Sequence, residues 1–529
     1  MIQRAYRAAC PNCGAAVEFV SAASASAVCS FCRSTLLREG DALRRIGVSG
    51  ELFDDHSPLQ LGASGKRQGM AFTLVGRLQY GYDGGTWNEW HALFDTGSDS
   101  KRSAWLSEDN GAYVIAFDAA LPADAPKLDA MRAGQRVVAD GRAWDVASVV
   151  QAKLIAAQGE LPRPPRLQGS FAVVDLRNNA GEVATLDGSD PAQFSWSVGR
   201  AVTLAELSMQ GLKDSSEKTL SARSLPCPNC GAALEVKLAS TQSIACAQCH
   251  AVVDISKGAS ADLTHYQQNN SGPSGATPQI PLGSNGTLEL GGPPLPWQVV
   301  GYQERCDNPQ SSEEETTYWR EYLLYHREAG FAFLVDSNEG WSWVRPITGA
   351  PTVRGNSAQW QGVDYEQHWQ YAAQVTWVQG EFYWRVRQGE QAEVTDYEGR
   401  GANAARRLSR EATGSEVTWS AGQTLSAADV ARAFAIAPEA SAALQRDVAP
   451  LSSNAGVRKA LILFVLAVFV IVLVARCSRD DCDEVKSTFG AASAEYRQCQ
   501  RSSGGSIGSY GGNYGGSYGG YSSGSGGHK

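Results

Sequence analysis

The sequence predicts a mainly β architecture, duplicated in tandem. Three observations carry that reading. A four-cysteine pattern occurs twice with identical spacing. Short segments rich in aromatic and β-branched residues are broken by Gly, Asp and Asn. Further motifs recur in the same order in both halves of the 529 residues. A chain of this length exceeds one domain.

The cysteines come first. Cys10-Pro11-Asn12-Cys13-Gly14-Ala15-Ala16 recurs as Cys227-Pro228-Asn229-Cys230-Gly231-Ala232-Ala233, and the second pairs, Cys29/Cys32 and Cys246/Cys249, follow at matched distances. Two residues between thiolates form a tight knuckle that lets both sulfurs reach one ion. Two such knuckles complete a closed tetrahedral site with no position left for water or substrate. The expected metal ligands are therefore Cys10, Cys13, Cys29 and Cys32 in one zinc ribbon and Cys227, Cys230, Cys246 and Cys249 in another, with two structural Zn2+ ions as the only cofactors. A rubredoxin-like iron site is the alternative. Gly14 and Gly231 follow the second cysteine of a knuckle, where a left-handed backbone is expected. His250, next to Cys249, reads as an exposed loop residue. Thiols clustered at metal spacing suit a reducing compartment.

The recurrence continues past the ribbons. Trp87-Asn88-Glu89-Trp90 matches Trp319-Arg320-Glu321-Tyr322, and Gln158-Gly159-Glu160 matches Gln379-Gly380-Glu381. Val173-Val174-Asp175 matches Val394-Thr395-Asp396, and Ser195-Trp196-Ser197-Val198-Gly199 matches Thr418-Trp419-Ser420-Ala421-Gly422. Collinear order across so many motifs marks two copies of one unit. Strands are expected at Met70 to Leu78, His91 to Asp95, Tyr113 to Phe117, Trp297 to Gln303, Trp319 to Tyr325 and Gln374 to Val378. Each copy is expected to close on a short helix, capped by Thr203 with Glu206 and by Ser426 with Asp429. Alternation places the Trp and Glu of Trp-x-Glu on one strand face. That pair reads as a core tryptophan beside a solvent-facing or capping glutamate, with a binding site as the alternative. Trp341, Trp343, Trp360, Trp369, Trp377 and Trp384 read as β-core.

The resulting division is zinc ribbon 1 over 1–42, β-rich copy 1 over 43–212, ribbon 2 over 222–257, a linker over 258–279 and β-rich copy 2 over 280–437. The β domains are expected to be sandwich or barrel-like. A second linker over 438–457 leads to a transmembrane helix over 458–476, built on the uncharged run from Ala460 to Ala475. Sixteen residues of helix span about 24 Å, and the flanking Arg458, Lys459 and Arg476 can snorkel to cover the shortfall. The polar and Gly/Ser/Tyr-rich tail over 477–529 cannot bury a core and is expected to be disordered. Cys482 and Cys499 would pair there if the tail faces an oxidising space. Met1 to Arg7 run into Cys and Pro, not an apolar stretch, so no secretory signal is expected. The expected location is the inner membrane, single-pass, with the bulk of the chain cytoplasmic.

The net charge of −9 argues against a general nucleic-acid binder. No G-x-S-x-G, Walker loop, H-E-x-x-H or Rossmann pattern in context is present, so no catalytic residues are assigned and no enzyme is expected. The Trp-x-Glu-aromatic strand, Gly340-Trp341, the Gln-Gly-Glu turn and the closing Trp-Ser-x-Gly strand resemble an uncharacterised bacterial family of domains of unknown function. That family occurs with zinc ribbons and membrane segments. Copy 1 lacks a tryptophan at the Trp341 position. Members look like accessory proteins encoded near polyamine-synthesis-like enzymes and small membrane proteins, which implies a partner role at the membrane. The expected function is a non-catalytic, membrane-anchored zinc-ribbon scaffold that recruits protein partners. The alternatives are a sensor or binding module for a small ligand such as a polyamine, since the acidic balance admits a cation, and an enzyme with an unrecognised site.

Overall fold

The computed structural model describes residues 6–445, apart from 20, 22–23, 40–41, 51–56, 84, 96–101, 110–111, 191–193, 214–222, 239–240, 256–262, 269–276, 309–315 and 328, together with 486, 488 and 490–502. The expected membrane segment and the Cys482–Cys499 pairing lie outside the described residues. No helix among the described residues is long and apolar enough to cross a membrane.

Each copy closes into a barrel of eight antiparallel strands. In copy 1 these are β1 (Met70–Tyr82), β2 (Gly85–Phe94), β3 (Arg102–Asp109), β4 (Ala112–Ala119), β5 (Arg142–Leu161), β6 (Phe171–Arg177), β7 (Glu182–Asp187) and β8 (Ser195–Val202). Pairing runs β1-β2-β3-β4-β8-β7-β6-β5 and back to β1. Copy 2 repeats the circuit with β9 (Leu295–Asp307), β10 (Tyr318–His326), β11 (Gly330–Ser337), β12 (Gly340–Ile347), β13 (Val363–Phe382), β14 (Gln391–Gly399), β15 (Arg406–Thr413) and β16 (Glu416–Leu425). Of the sandwich and barrel expected, the barrel is what forms. Closure leaves no open sheet edge in either circuit.

The 20-residue strands β5 and β13 make closure possible. The first half of β5 pairs with β6 and the second half with β1, with a register shift between Leu154 and Ala156. β13 does the same with β14 and β9. At the crossing, Gly159 faces Gly76 and Gly380 faces Gly301. Gly159 and Gly380 have φ of 69° and 81°. A Cβ there would stand 2.2 Å from the Val75 carbonyl oxygen or 2.3 Å from that of Val300. Only glycine fits both demands, which explains the Gln-Gly-Glu recurrence.

The glutamate of that motif anchors the ribbon. The end of β5 takes ribbon strand Ser26–Val28 as an added partner, and Glu160 Oε2 accepts from the Ser21 amide at 3.3 Å. In copy 2, ribbon strand Ser243–Ala245 adds to the end of β13. Glu381 accepts from the Lys237 amide at 3.0 Å, the Leu238 amide at 2.8 Å and the Thr241 hydroxyl at 2.6 Å.

The outer barrel faces are covered, so each barrel carries a core on its outside. One cluster in copy 1 joins Phe72, Leu74, Trp90 and Leu106 with Leu59 and Leu207. Its counterpart in copy 2 joins Trp297, Tyr322 and Trp341 with Val430 and Phe434 of α1 (Ala427–Ala433). Trp341, Trp343, Trp360 and Trp377 are buried as expected, whereas Trp369 and Trp384 are half-buried. Tyr113 takes the Trp341 position and is buried in the matching cluster.

The expected closing helix forms only in copy 2. Ser426 accepts from the Asp429 amide at 3.1 Å and α1 follows. In copy 1 the cap forms in full: the Glu206 amide donates to Thr203 Oγ1 at 3.1 Å and the Thr203 amide to Glu206 Oε2 at 2.7 Å. The chain then makes one turn, passes through Ser208 at φ 48° and pairs Gln210 with Ser64. A left-handed residue and a strand bridge end the turn before a helix can propagate.

Glu381→Ala removes the acceptor of three ribbon donors, each costing about 1–3 kcal/mol when left buried and unmade. Hydrogen exchange of the whole protein should show ribbon 2 amides losing at least tenfold protection, with ribbon 1 unchanged. Equal loss in both ribbons would contradict this anchoring role.

Candidate ligand cavity and metal sites

The structure brings all eight predicted ligand cysteines together in two sets of four. Within each set the sulfurs lie within 4.8 Å of one another and could hold one metal ion. Cys10 and Cys32 sulfurs are 3.7 Å apart, as are those of Cys13 and Cys29. Ribbon 2 gives 3.7 Å for Cys227 and Cys249 and 3.8 Å for Cys230 and Cys246. A tetrahedral S4 site with bonds of about 2.3 Å has edges of about 3.8 Å, so the cage has the right dimensions.

Each knuckle is a backbone turn closed by its own hydrogen bonds. The Gly14 amide donates to the Cys10 carbonyl at 2.9 Å, and the Gly231 amide to that of Cys227 at 2.8 Å. Arg33 and His250 repeat the bond on Cys29 and Cys246, each at 2.9 Å. All four residues are left-handed: Gly14 at φ 77°, Gly231 at 76°, Arg33 at 58° and His250 at 61°. His250 is not the exposed loop residue expected. It is half-buried, with its ring 5.2 Å from that of Trp377.

The barrel interiors differ, and the difference is chemical. In barrel 2 the space is filled by Trp319, Phe333, Val335, Val344 and Val394 with Tyr371. Among them stands Arg305, whose side chain is 4% exposed. Its guanidinium grips Glu411 with Nη1 at 3.3 Å and Nη2 at 3.0 Å, and reaches Glu321 at 3.5 Å. The Trp319 indole donates to Glu321 at 2.8 Å, and the Tyr371 hydroxyl donates to Asp396 at 2.9 Å. The two glutamates hold Arg305 protonated, against the opposing effect of burial.

Barrel 1 keeps the carboxylates and loses the guanidinium. Four residues beyond the facing glycines, Arg305 of copy 2 is replaced by Tyr80. Glu89 stands at the Glu321 position, Asp175 at that of Asp396 and Asp187 at that of Glu411. Smaller residues line the rest: Val150 for Tyr371, Ser107 for Val335, Ala116 for Val344. A cavity of about 1130 Å³ results, running on to a cover from copy 2 that includes Pro346 to Pro351 and Glu416 to Trp419. Tyr80 and Trp87 stack at 5.1 Å on its wall.

Glu89 lines this cavity and is half-buried. Its carboxyl is pushed up to about 8, first by burial and then by Asp187, with Asp175 and Asp118 adding to the effect, while the Trp87 indole at 3.3 Å opposes it. Burial likewise raises Asp187. Among the other lining carboxylates, Asp118 pairs with Arg163 at 3.5 Å, Asp175 with Arg177 at 3.6 Å and Asp145 with Arg136 at 3.7 Å. Burial, with Asp175 adding, raises Glu416 of the cover, and burial, with Glu416 and Asp175 adding, pushes Asp109 up to about 7. Among the described residues no Arg or Lys lies within ion-pair distance of Glu89 or Asp187.

The glutamate of Trp-x-Glu is thus neither solvent-facing nor a cap. Glu321 is fully buried and Glu89 faces a cavity, both inside a barrel. The signal for this was present in the aligned copies, where Glu and Asp recur at matched interior positions while Arg305 does not. A Ser–His contact, His91 Nε2 to Ser103 Oγ at 2.9 Å, is fixed by Nδ1 against the Glu160 carbonyl and does not line the cavity.

These features define a duplicated ribbon-and-barrel protein with one filled and one open barrel. The family model described as "Domain of unknown function (DUF4178)" matches residues 60–204 and 294–427, together just over half of the chain. The chain belongs to that family, carrying its domain twice, and the two matches fall on the two barrels. No curated protein and no solved structure matches the chain.

Arg305→Met would leave Glu321 and Glu411 enclosed without a cation. Breaking one side of a buried pair costs about 3–5 kcal/mol, so barrel 2 should melt earlier by calorimetry, and adding Glu321→Gln should recover part of the loss. For Glu89 the folded carboxyl titrates above the unfolded one. The native state therefore binds the extra proton, and the group's contribution to stability declines from about pH 4.5 and levels off above about 8. Glu89→Gln should flatten the melting-temperature profile across that window. An unchanged profile would contradict the assignment.

Proposed function

We propose that this chain is a non-catalytic binding protein. Barrel 1 receives a small organic ligand, barrel 2 is its filled structural partner, and two zinc ribbons brace them. The observation that carries the reading is the contrast between the copies: the same circuit of strands is packed solid in one and open by about 1130 Å³ in the other. Ligand cavities typically measure a few hundred to about 1000 Å³ with a few converging polar groups. Stacked aromatics and carboxylates on one wall supply those groups here.

The metal in this reading is zinc. The sulfur cages match its bond length, and four thiolates leave no vacancy, which fits a structural site. Binding would fold each small ribbon, whose own buried cluster holds only a few apolar side chains beside its cysteines. The uncharged run from Ala460 to Ala475 supports a single-pass anchor in the inner membrane, and the thiolates support a reducing, cytoplasmic location for the ribbons and barrels.

One observation favours the adaptor reading beside this one. Phe31, between Cys29 and Cys32 at the tip of ribbon 1, is 84% exposed. An apolar tip on a metal-stiffened turn suits docking to a protein partner. Phe31→Ser should then abolish binding of an isolated partner with no change in metal content.

Elemental analysis of the purified full chain should find two zinc ions. Cys10→Ser should leave one, and the Cys10→Ser, Cys227→Ser pair none. Iron with visible charge-transfer absorption would replace zinc in the account. For the binding reading, native mass spectrometry or calorimetry should detect one small molecule per chain, lost when Val150→Trp fills barrel 1. Binding that survives the filled barrel would contradict it.

A further inference from the structure

The duplication supplies a comparison within one molecule. Both barrels present a Trp-x-Glu strand, a second acidic residue on the strand four places round the barrel, and an aspartate between them. In barrel 2 this cradle has an occupant that belongs to the chain: the Arg305 guanidinium, clamped by Glu411 and Glu321 and lying 5.8 Å from the centre of the Trp319 ring. In barrel 1 the same cradle remains, the occupant is gone and a cavity stands in its place. Asp118 and Asp175 already have arginines, whereas Glu89 and Asp187, the counterparts of Glu321 and Glu411, have none within ion-pair distance among the described residues. Glu416 and Asp109, which also line the cavity, add to its acidity.

We propose that the barrel 1 cavity takes an organic cation, an ammonium or guanidinium on an apolar body, whose charged head stands between Glu89 and Asp187 as the Arg305 guanidinium stands between Glu321 and Glu411. The assignment rests on the binding reading above and names the ligand class for that same cavity.

Three physical points support it. Two carboxylates in a closed barrel repel one another and are costly to ionise, and an enclosed cation removes both penalties together. Barrel 2 demonstrates that this arrangement accommodates a planar guanidinium, with two parallel donors to one carboxylate. The Tyr80–Trp87 stack gives barrel 1 aromatic faces beside the carboxylates, a surface that attracts desolvated ammonium and guanidinium groups. An anion would add repulsion to Glu89 and Asp187 and hold their carboxyls protonated. A neutral ligand would leave Glu89 raised as it is and gain nothing from the pair. The volume freed by Val150, Ser107 and Ala116 lies alongside the cradle and admits a body larger than an arginine side chain.

Calorimetric titration of the full chain in detergent with benzylguanidinium, benzyl alcohol and benzoate tests both levels. The expected result is benzylguanidinium binding at least tenfold tighter than benzyl alcohol, with benzoate weakest. Glu89→Gln or Asp187→Asn should bring the cation down to the level of the alcohol while alcohol binding stays unchanged. Tyr80→Arg, which restores the built-in occupant of barrel 2, should abolish cation binding. The carboxylate variants and Tyr80→Arg act by different routes, and a cooperative melting transition together with wild-type metal content verifies that each is folded. Equal affinity for the three probes, or indifference of the cation to Glu89 and Asp187, would overturn the cation assignment and leave the binding reading standing. Absence of heat with every probe, together with no co-purified small molecule in native mass spectra, would overturn both.

Discussion

A closed barrel must have its interior filled and its charge answered, either by its own side chains or by a ligand it admits. That constraint organises this chain. In copy 2 the carboxylates of buried Glu321 and half-buried Glu411 are answered by Arg305, and aromatic and branched side chains take the remaining volume. In copy 1 Tyr80 replaces the arginine, no Arg or Lys among the described residues pairs with Glu89 or Asp187, and the space beside them stays open. Low dielectric makes both states consequential: a paired charge there is strongly held, and an unpaired one shifts its protonation or recruits a partner.

Closure also fixes where the ribbons go. The strands β5 and β13 serve two partners in succession and then extend past the barrel, offering a free end to which a ribbon strand adds. Gly159 and Gly380 allow the crossing, and Glu160 and Glu381 lock the ribbon onto it. Metal cage, ribbon strand and barrel wall are therefore one continuous hydrogen-bonded system in each copy. The cover over the open barrel comes from copy 2, including the loop from Pro346 to Pro351 and the start of β16, the strand that leads into α1. The cavity thus depends on both copies being present.

Much of this was legible in the sequence where local chemistry decides. The cysteine spacing identified the two sulfur cages residue by residue, and the collinear motifs identified the duplication. Strand positions followed from alternation, although β13 ran far beyond the expected Gln374 to Val378 and β5 was not among the expected strands. The Gln-Gly-Glu expected as a turn lies inside both, because a strand with two successive partners has no single buried face. Barrel closure was not legible, since it depends on long-range pairings such as Leu154 with Tyr80. Nor was the role of Trp-x-Glu, because a glutamate on an alternating strand reads as the polar face, and only closure turns that face inward. The closing helix of copy 1 failed for a local reason: its cap formed, but Ser208 and the Gln210 bridge ended it.

The most direct test is structure determination of the full chain with benzylguanidinium present. The account predicts density for one cation inside barrel 1, its guanidinium between Glu89 and Asp187, and none in barrel 2, where Arg305 occupies the equivalent place. A barrel 1 interior holding only water at saturating probe, or a cation bound elsewhere on the chain, would contradict it.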